Sequence, residues 1–228
     1  MNIDLNRKVR WGLRIAGILL VTTLPSFWLW PPLGVSPARA DSVIPLNPCP
    51  VWFSGDHDDT YSIAWGDLDG DGDLDLAVGN WGANKVYLNE KGILQIPAAW
   101  TSNDDDWTWS VAWGDMDGDG DLDLAVGNRG TSGTGASNKV YLNEGGILQS
   151  SAVWVSNATE STTSVAWGDM DCDGDLDLVI GNVPVWDGSQ YVGGKNQIYL
   201  NEDGVLQSIA AWISNDADWT HSVALGGS

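Results

Sequence analysis

Basic residues are scarce: 10 Lys and Arg stand against 31 Asp and Glu in 228 residues, a formal net charge of -21. Half of the basic residues (Arg7, Lys8, Arg10, Arg14, Arg39) fall in residues 1–40, which hold one acid, Asp4, so residues 41–228 carry 30 acids and 5 bases. Such a polyanion is repelled by phosphate backbones and anionic lipid, which excludes nucleic acid and an anionic membrane surface as partners and favours cations. The two cysteines, Cys49 and Cys172, are too few for a disulfide framework, although they can pair with each other. With only His57 and His221 present, and no nucleophile motif around any Ser, a Ser-His-Asp site has little to draw on. Helical stripes with caps are absent outside the N-terminal segment. Apolar surface is not lacking: 43% of residues are hydrophobic and 15 are Trp, enough for a core and against disorder.

Residues 7–14 are basic, residues 15–38 carry no charge, and the segment closes on Ala38-Arg39-Ala40, with small residues at the two positions a signal peptidase reads. This predicts a secretory signal over 1–40 with cleavage after Ala40. The alternative is an uncleaved membrane anchor, although Pro25, Pro31 and Pro32 interrupt the run. Either places residues 41–228 outside the cytoplasm, as a secreted or cell-surface chain in an oxidising, calcium-rich compartment. Asn157-Ala-Thr159 is a glycosylation acceptor wherever the source glycosylates such sites.

Self-similarity decides the architecture. Residues 62–80 (Ser-Ile-Ala-Trp-Gly-Asp-Leu-Asp-Gly-Asp-Gly-Asp-Leu-Asp-Leu-Ala-Val-Gly-Asn) return at 110–128 and 164–182, and Lys85-Val-Tyr-Leu-Asn-Glu90 returns at 139–144 and 197–202. Every copy ends on a Trp: Trp100, Trp154 and Trp212. Period-2 alternation through Leu74, Leu76 and Val78 marks strands, and four fit each unit, near 62–65, 75–79, 85–89 and 94–101 in the first. The fold class is therefore all-β, with β-propeller blades of four antiparallel strands. Repeats run over 62–109, 110–163 and 164–221, flanked by an N-terminal segment 41–61 that carries an outer strand at 51–54, and by the start of a fourth repeat at 222–228. Three full repeats with partial ones at both ends make an incomplete propeller, one that another chain could complete.

Each repeat carries an aspartate loop. In Asp67-Leu-Asp-Gly-Asp-Gly-Asp-Leu-Asp75 the carboxylates at positions 1, 3, 5 and 9 converge in a turn that Gly72 permits, and the position-7 residue can offer its carbonyl. Hard oxygen ligands in that number select calcium over zinc or copper. Four carboxylates about 5 Å apart repel by about 0.8 kcal/mol per pair in water, and a divalent cation reverses the sign. Position 12 is Val78, Val126 or Ile180, so the loop lacks the acid of an EF-hand and runs into a strand.

These loops and their flanks resemble FG-GAP/VCBS repeats, the blades of integrin α-subunit propellers and of many bacterial secreted proteins, over about residues 51–228. The resemblance implies about three calcium ions, each in the loop between the first two strands of a blade. It implies side-chain ligands at Asp67, Asp69, Asp71 and Asp75, then Asp115, Asp117, Asp119 and Asp123, then Asp169, Asp171, Asp173 and Asp177. The carbonyls of Asp73, Asp121 and Asp175 would complete the sites. Phe-Gly of the family pattern is Trp-Gly here (Trp65-Gly66, Trp113-Gly114, Trp167-Gly168), Gly-Ala-Pro is replaced by Gly-Asn, and Cys172 replaces Gly at position 4 of the third loop. These departures point to the bacterial-type variant and away from the partners of integrins.

Catalysis is disfavoured, because every candidate Asp recurs three times whereas an active site is single and asymmetric. Trp65, Trp113, Trp167, Trp52, Trp100, Trp154 and Trp212 recur at fixed repeat positions and are expected in the core between blades. Trp81, Trp107, Trp109, Trp186 and Trp219 recur irregularly beside loops, and Trp81 and Trp186 are candidate glycan contacts by stacking. The function expected is a non-enzymatic adhesion or recognition module with an extracellular protein or glycan ligand. A lectin-like carbohydrate-binding module and an accessory part of a polysaccharide-degrading enzyme are the alternatives.

Overall fold

The computed structural model describes residues 52–130 and 134–225. The signal or anchor expected over 1–40, and Cys49, lie outside them. Three antiparallel sheets follow one another along the chain, two of four strands and a third in which Tyr191–Gly193 adds a fifth by pairing with the end of Asp177–Trp186. The first pairs Asp59–Gly66, Asp75–Trp81, Lys85–Tyr87 and Trp100–Thr101. The second pairs Thr108–Gly114, Asp123–Asn128, Lys139–Tyr141 and Trp154–Val155, and the third Ser161–Gly168, Asp177–Trp186, Gln197–Tyr199 and Trp212–Ile213. In each, neighbours in sequence are neighbours in space, the meander of a propeller blade. The sheets stand side by side and, among the described residues, do not close into a ring.

The fourth strand is shorter than expected. Residues 94–101 contribute only Trp100–Thr101 to the sheet, because Asn89–Glu90 and Ile93–Leu94 fold back on each other as a separate hairpin. Residues 52–54, expected within an outer strand, pair with no strand, yet Trp52 stands edge-on to Tyr87 at 5.1 Å. Trp100 does the same to Tyr141, and Trp154 to Tyr199, both at 5.0 Å. Trp52 thus fills the place of a fourth-strand Trp without the strand.

The core lies between blades. Ala77, Val86, Trp100 and Leu68 of the first pack with Val111, Leu124, Val126 and Tyr141 of the second. Met116, Ala125, Val140 and Trp154 meet Val165, Leu178, Ile180 and Tyr199 in the same way at the next interface. Two glycines of each repeat permit this approach: a Cβ on Gly114 would lie 2.5 Å from the Trp167 ring, and one on Gly127 would lie 2.7 Å from Thr162 Cγ2. The Trp113 indole donates to Ala64 O at 3.3 Å and the Trp167 indole to Ala112 O at 3.2 Å, so each Trp-Gly pair is knob on one side and socket on the other.

That arrangement corrects the expectation for two tryptophans. Trp65 and Trp212 are 52% and 51% exposed, whereas Trp100 and Trp154 are buried. Each exposed ring belongs to an outermost blade, and the neighbour that buries its counterparts is not among the described residues. At the far side, Leu225 fills the Gly168 socket that a Trp fills elsewhere, and Val223 N–H donates to Ser164 Oγ at 3.1 Å as Val111 N–H does to Ser62. Residues 220–225 pack as a first strand without pairing as one.

Candidate metal centres

Each aspartate loop joins the first and second strands of its blade, as expected. Gly70 and Gly118 take φ of +73° and +75°, left-handed backbone that lets the loop double back on itself. Cys172 holds the same conformation in the third loop, with φ of +66°. Oxygens of Asp67, Asp69 and Asp71 lie within 4.8 Å of one another, as do those of Asp115, Asp117 and Asp123, and those of Asp169, Asp171 and Asp177. Asp119 and Asp173 stand outside these groupings in the second and third loops, and Asp75 in the first. Such a set of convergent carboxylate oxygens can hold a metal ion.

Position 1 organises the turn: Asp67 Oδ2 accepts the Gly72 N–H, Asp115 Oδ2 the Gly120 N–H and Asp169 Oδ2 the Gly174 N–H, at 3.0, 3.0 and 3.1 Å. The other oxygen of Asp67 is buried with no hydrogen-bond partner. A carboxylate oxygen withdrawn from water without a donor is unfavourable, and a cation is the partner that fits it.

Position 9 is buried in all three blades. Asp123 accepts the N–H groups of Met116 and Asn143, each at 2.8 Å, and Asp75 and Asp177 make the corresponding pairs with Leu68 and Asn89, and with Met170 and Asn201. Burial pushes the Asp123 carboxyl up to about 6 against those two hydrogen bonds, and the charges of Asp117 and Asp119 push the same way. Asp75 is raised too, again chiefly by burial. At position 7 the sequence directs attention to the carbonyl, and the side chain has a role of its own: Asp73 accepts the Lys91 N–H, Asp121 that of Gly145 and Asp175 that of Asp203, at 2.7, 2.7 and 2.8 Å. These bonds tie each loop to the turn that follows the third strand.

A family model described as FG-GAP-like repeat matches residues 67–126 and 127–180. The chain belongs to this family. The first matched stretch takes in the first two aspartate loops and the second takes in the third. The V. cholerae biofilm matrix protein Bap1 is a solved structure similar to part of the chain, at 22% identity and a TM-score of 0.40, over 68% of this chain and 20% of Bap1. The chain therefore spans about a fifth of that protein's length. No curated protein matches it.

The opposite end of the FG-GAP-like blades gathers the irregular aromatics. A β-bulge in each first strand falls between Thr60 and Ser62, Thr108 and Ser110, and Thr162 and Ser164. Tyr61 and Trp109 are bulged residues, re-aimed out of the ladder, and their rings stack at 5.3 Å. Trp81 stacks on Trp107 at 4.8 Å, and the Arg129 guanidinium lies 4.1 Å from the centre of the Trp109 ring. Trp186 stands edge-on to Tyr191 at 5.2 Å, and Tyr191 edge-on to Trp219 at 5.3 Å. Trp186 lines a cleft of about 700 Å³ and Trp81 a smaller pocket beside it of about 210 Å³, and Trp107, Arg129 and Gly130 line both. Arg129 was not singled out by the sequence. The available signal is that residues 81, 129 and 183, equivalent positions after Gly-Asn, are Trp, Arg and Val, the point where the three copies part.

Proposed function

We propose that this chain is an extracellular, non-enzymatic recognition module whose blades are stabilised by calcium, one ion in each aspartate loop. The observation that carries the metal assignment is the buried, partnerless Oδ1 of Asp67 beside Asp69 and Asp71. Asp67, Asp69, Asp71 and Asp75, and their equivalents in the other two loops, would be the side-chain ligands, with the carbonyls of Asp73, Asp121 and Asp175. Carboxylates and carbonyls are hard donors, and a loop able to offer this many suits calcium better than the smaller, more strongly hydrated magnesium. The ion's part is structural, since its ligands span the connection between the first two strands.

Export is supported by the basic, apolar and Ala38-Arg39-Ala40 pattern of residues 1–40. No helix among the described residues is long and apolar enough to cross a membrane. The extracellular partner is a protein or glycan, and adhesion is the role that a repeat scaffold with one irregular end suits best. The half-exposed Trp65 and exposed Ile63 of the first blade are the knobs another blade would cover, from this polypeptide or a second one.

Thermal unfolding in millimolar calcium, in magnesium and in excess chelator tests the metal reading. Binding to the native state raises the midpoint by mass action, by about 2.7 kcal/mol for a single site at one hundred times Kd. Three sites raise it by many degrees in calcium and little in magnesium. Coincident melts in all three solutions would refute the assignment.

A further inference from the structure

The aspartate end of the blades is occupied by the metal reading, which leaves the aromatic end without a role. We propose that the cleft between Trp107, Arg129, Trp186 and Trp219 binds a neutral polysaccharide, so that the recognition module proposed above is a glycan reader.

Its size comes first. At about 700 Å³ the cleft is within the range of small-ligand sites and larger than the pockets against the buried core. Its walls come second. Trp186, Tyr191 and Trp219 are 52%, 58% and 53% exposed, so each ring keeps apolar surface open to solvent while its neighbours hold its orientation. Fixed, half-open indoles bind the C–H face of a pyranose ring at small entropic cost, because the side chains are already ordered.

Polar groups sit between those rings. The Arg129 guanidinium lies over the Trp109 ring, and no carboxylate pairs with it among the described residues. Its remaining N–H groups are available to hydroxyl acceptors. Asp105, in the adjoining pocket with Trp81 and Arg129, is exposed. Asp187 is less available, since it accepts from Ser189 N–H and Oγ and from Gln190 N–H at 2.8 to 2.9 Å. Alternating aromatic faces with a guanidinium and carboxylates matches a sugar, whose ring offers C–H faces and a rim of hydroxyls. A protein ligand's apolar core asks instead for a contiguous apolar patch.

Charge selects the kind of glycan. Asp105, Asp106 and Asp187 flank the site, and 30 acids against 5 bases in residues 41–228 give a field that repels a uronate or sulfate polymer at every approach. One guanidinium does not reverse it. A neutral chain feels no such barrier.

The test is affinity electrophoresis of the full protein in native gels containing calcium and soluble dextran, mannan or mixed-linkage β-glucan, with alginate as the acidic comparison. Retardation by at least one neutral polymer is expected, weakened tenfold or more by Trp186→Ala and by Arg129→Ala, and partly kept by Trp186→Phe. The melting midpoint of each variant separates loss of binding from loss of fold. Should Trp186→Ala not fold, Trp186→Phe and Arg129→Ala carry the test. No retardation in the three neutral gels, retardation by alginate alone, or full binding by both Trp186→Ala and Arg129→Ala overturns the proposal. Retardation without a calcium effect on the melt would overturn the metal reading and leave this one standing, and the reverse result would do the opposite.

Discussion

The two ends of each blade are built on opposite principles. At the aspartate end the three copies agree almost residue for residue, and the same backbone N–H groups meet the same carboxylates in all of them. At the aromatic end equivalent positions hold different side chains: Tyr61, Trp109 and Thr163 at the bulge, and Trp81, Arg129 and Val183 at the end of the second strand. Periodic residues serve what every blade needs, a closed loop and a face that fits the next blade. Aperiodic residues can only serve something that happens once. The aspartate end is thus structure repeated, and the aromatic end is where a single asymmetric site can form.

The largest effect expected from this contrast comes from Asp123→Ala. Its carboxylate is buried and accepts two backbone N–H groups, and removing it strands both donors. With each unpaired buried group costing about 1–3 kcal/mol, a loss of about 3 kcal/mol is expected in urea unfolding with chelator present. Trp186→Ala, at a half-exposed position, should stay within about 0.5 kcal/mol of the parent. Equal losses from the two variants would erase the distinction between the ends.

Much of the aspartate end was legible in the sequence, and little of the other. Asp67, Gly72 and Asp75 are separated by fixed, short spacings, so a turn with convergent carboxylates follows from local chemistry. The position-7 side chains were not legible, because the donors they meet, such as Lys91 N–H for Asp73, lie on a turn 18 residues away whose return depends on the sheet. Trp65 and Trp212 were misjudged because periodicity reports what a position does in the interior of an array. An outermost blade has the same residue and, among the described residues, no neighbour that covers it. Arg129 is invisible to a repeat search by its nature: it matters through being unlike Trp81 and Val183.

The interface between blades lies between those two regimes, and Gly127→Ala probes it. The added methyl would sit 2.7 Å from Thr162 Cγ2 and 2.8 Å from Val165 Cγ1. Overpacking of this kind costs about 1–3 kcal/mol, so the urea midpoint should fall by an amount near the middle of that range. An unchanged midpoint would mean that adjacent blades can move apart freely, and that each blade is stabilised from within.

Acidification sharpens the contrast through the buried carboxylate of the aspartate end. Burial raises Asp123 to about 6 from the usual 3.8, so the folded state resists its ionisation. Below about pH 4 it is protonated in both states and contributes nothing, and as pH rises through 6 the folded form must carry a buried charge that the unfolded form carries in water. Without calcium this group therefore removes stability as pH rises from about 4 to beyond 6. Calcium takes the ionised form, so its affinity at the second loop should fall by about tenfold per pH unit below 6, while polysaccharide retardation is unchanged by the protonation itself. Calcium titrations at pH 7.5 and pH 5 that gave the same affinity would contradict this.

The smallest effect separates the third loop from the first two. Cys172 occupies left-handed backbone where Gly70 and Gly118 stand, and its side chain is exposed. An L-residue in that conformation costs about 1–2 kcal/mol, and glycine gives part of this back through its larger freedom in the unfolded chain. Cys172→Gly should then stabilise the protein by about 0.5–1 kcal/mol, and Gly118→Cys should destabilise it by a similar amount. Both are read from urea midpoints with chelator and reductant present, so that neither metal nor disulfide chemistry enters. If Cys172→Gly is neutral while Gly118→Cys is costly, the third loop has relaxed around its cysteine, and the three loops are no longer one design used three times.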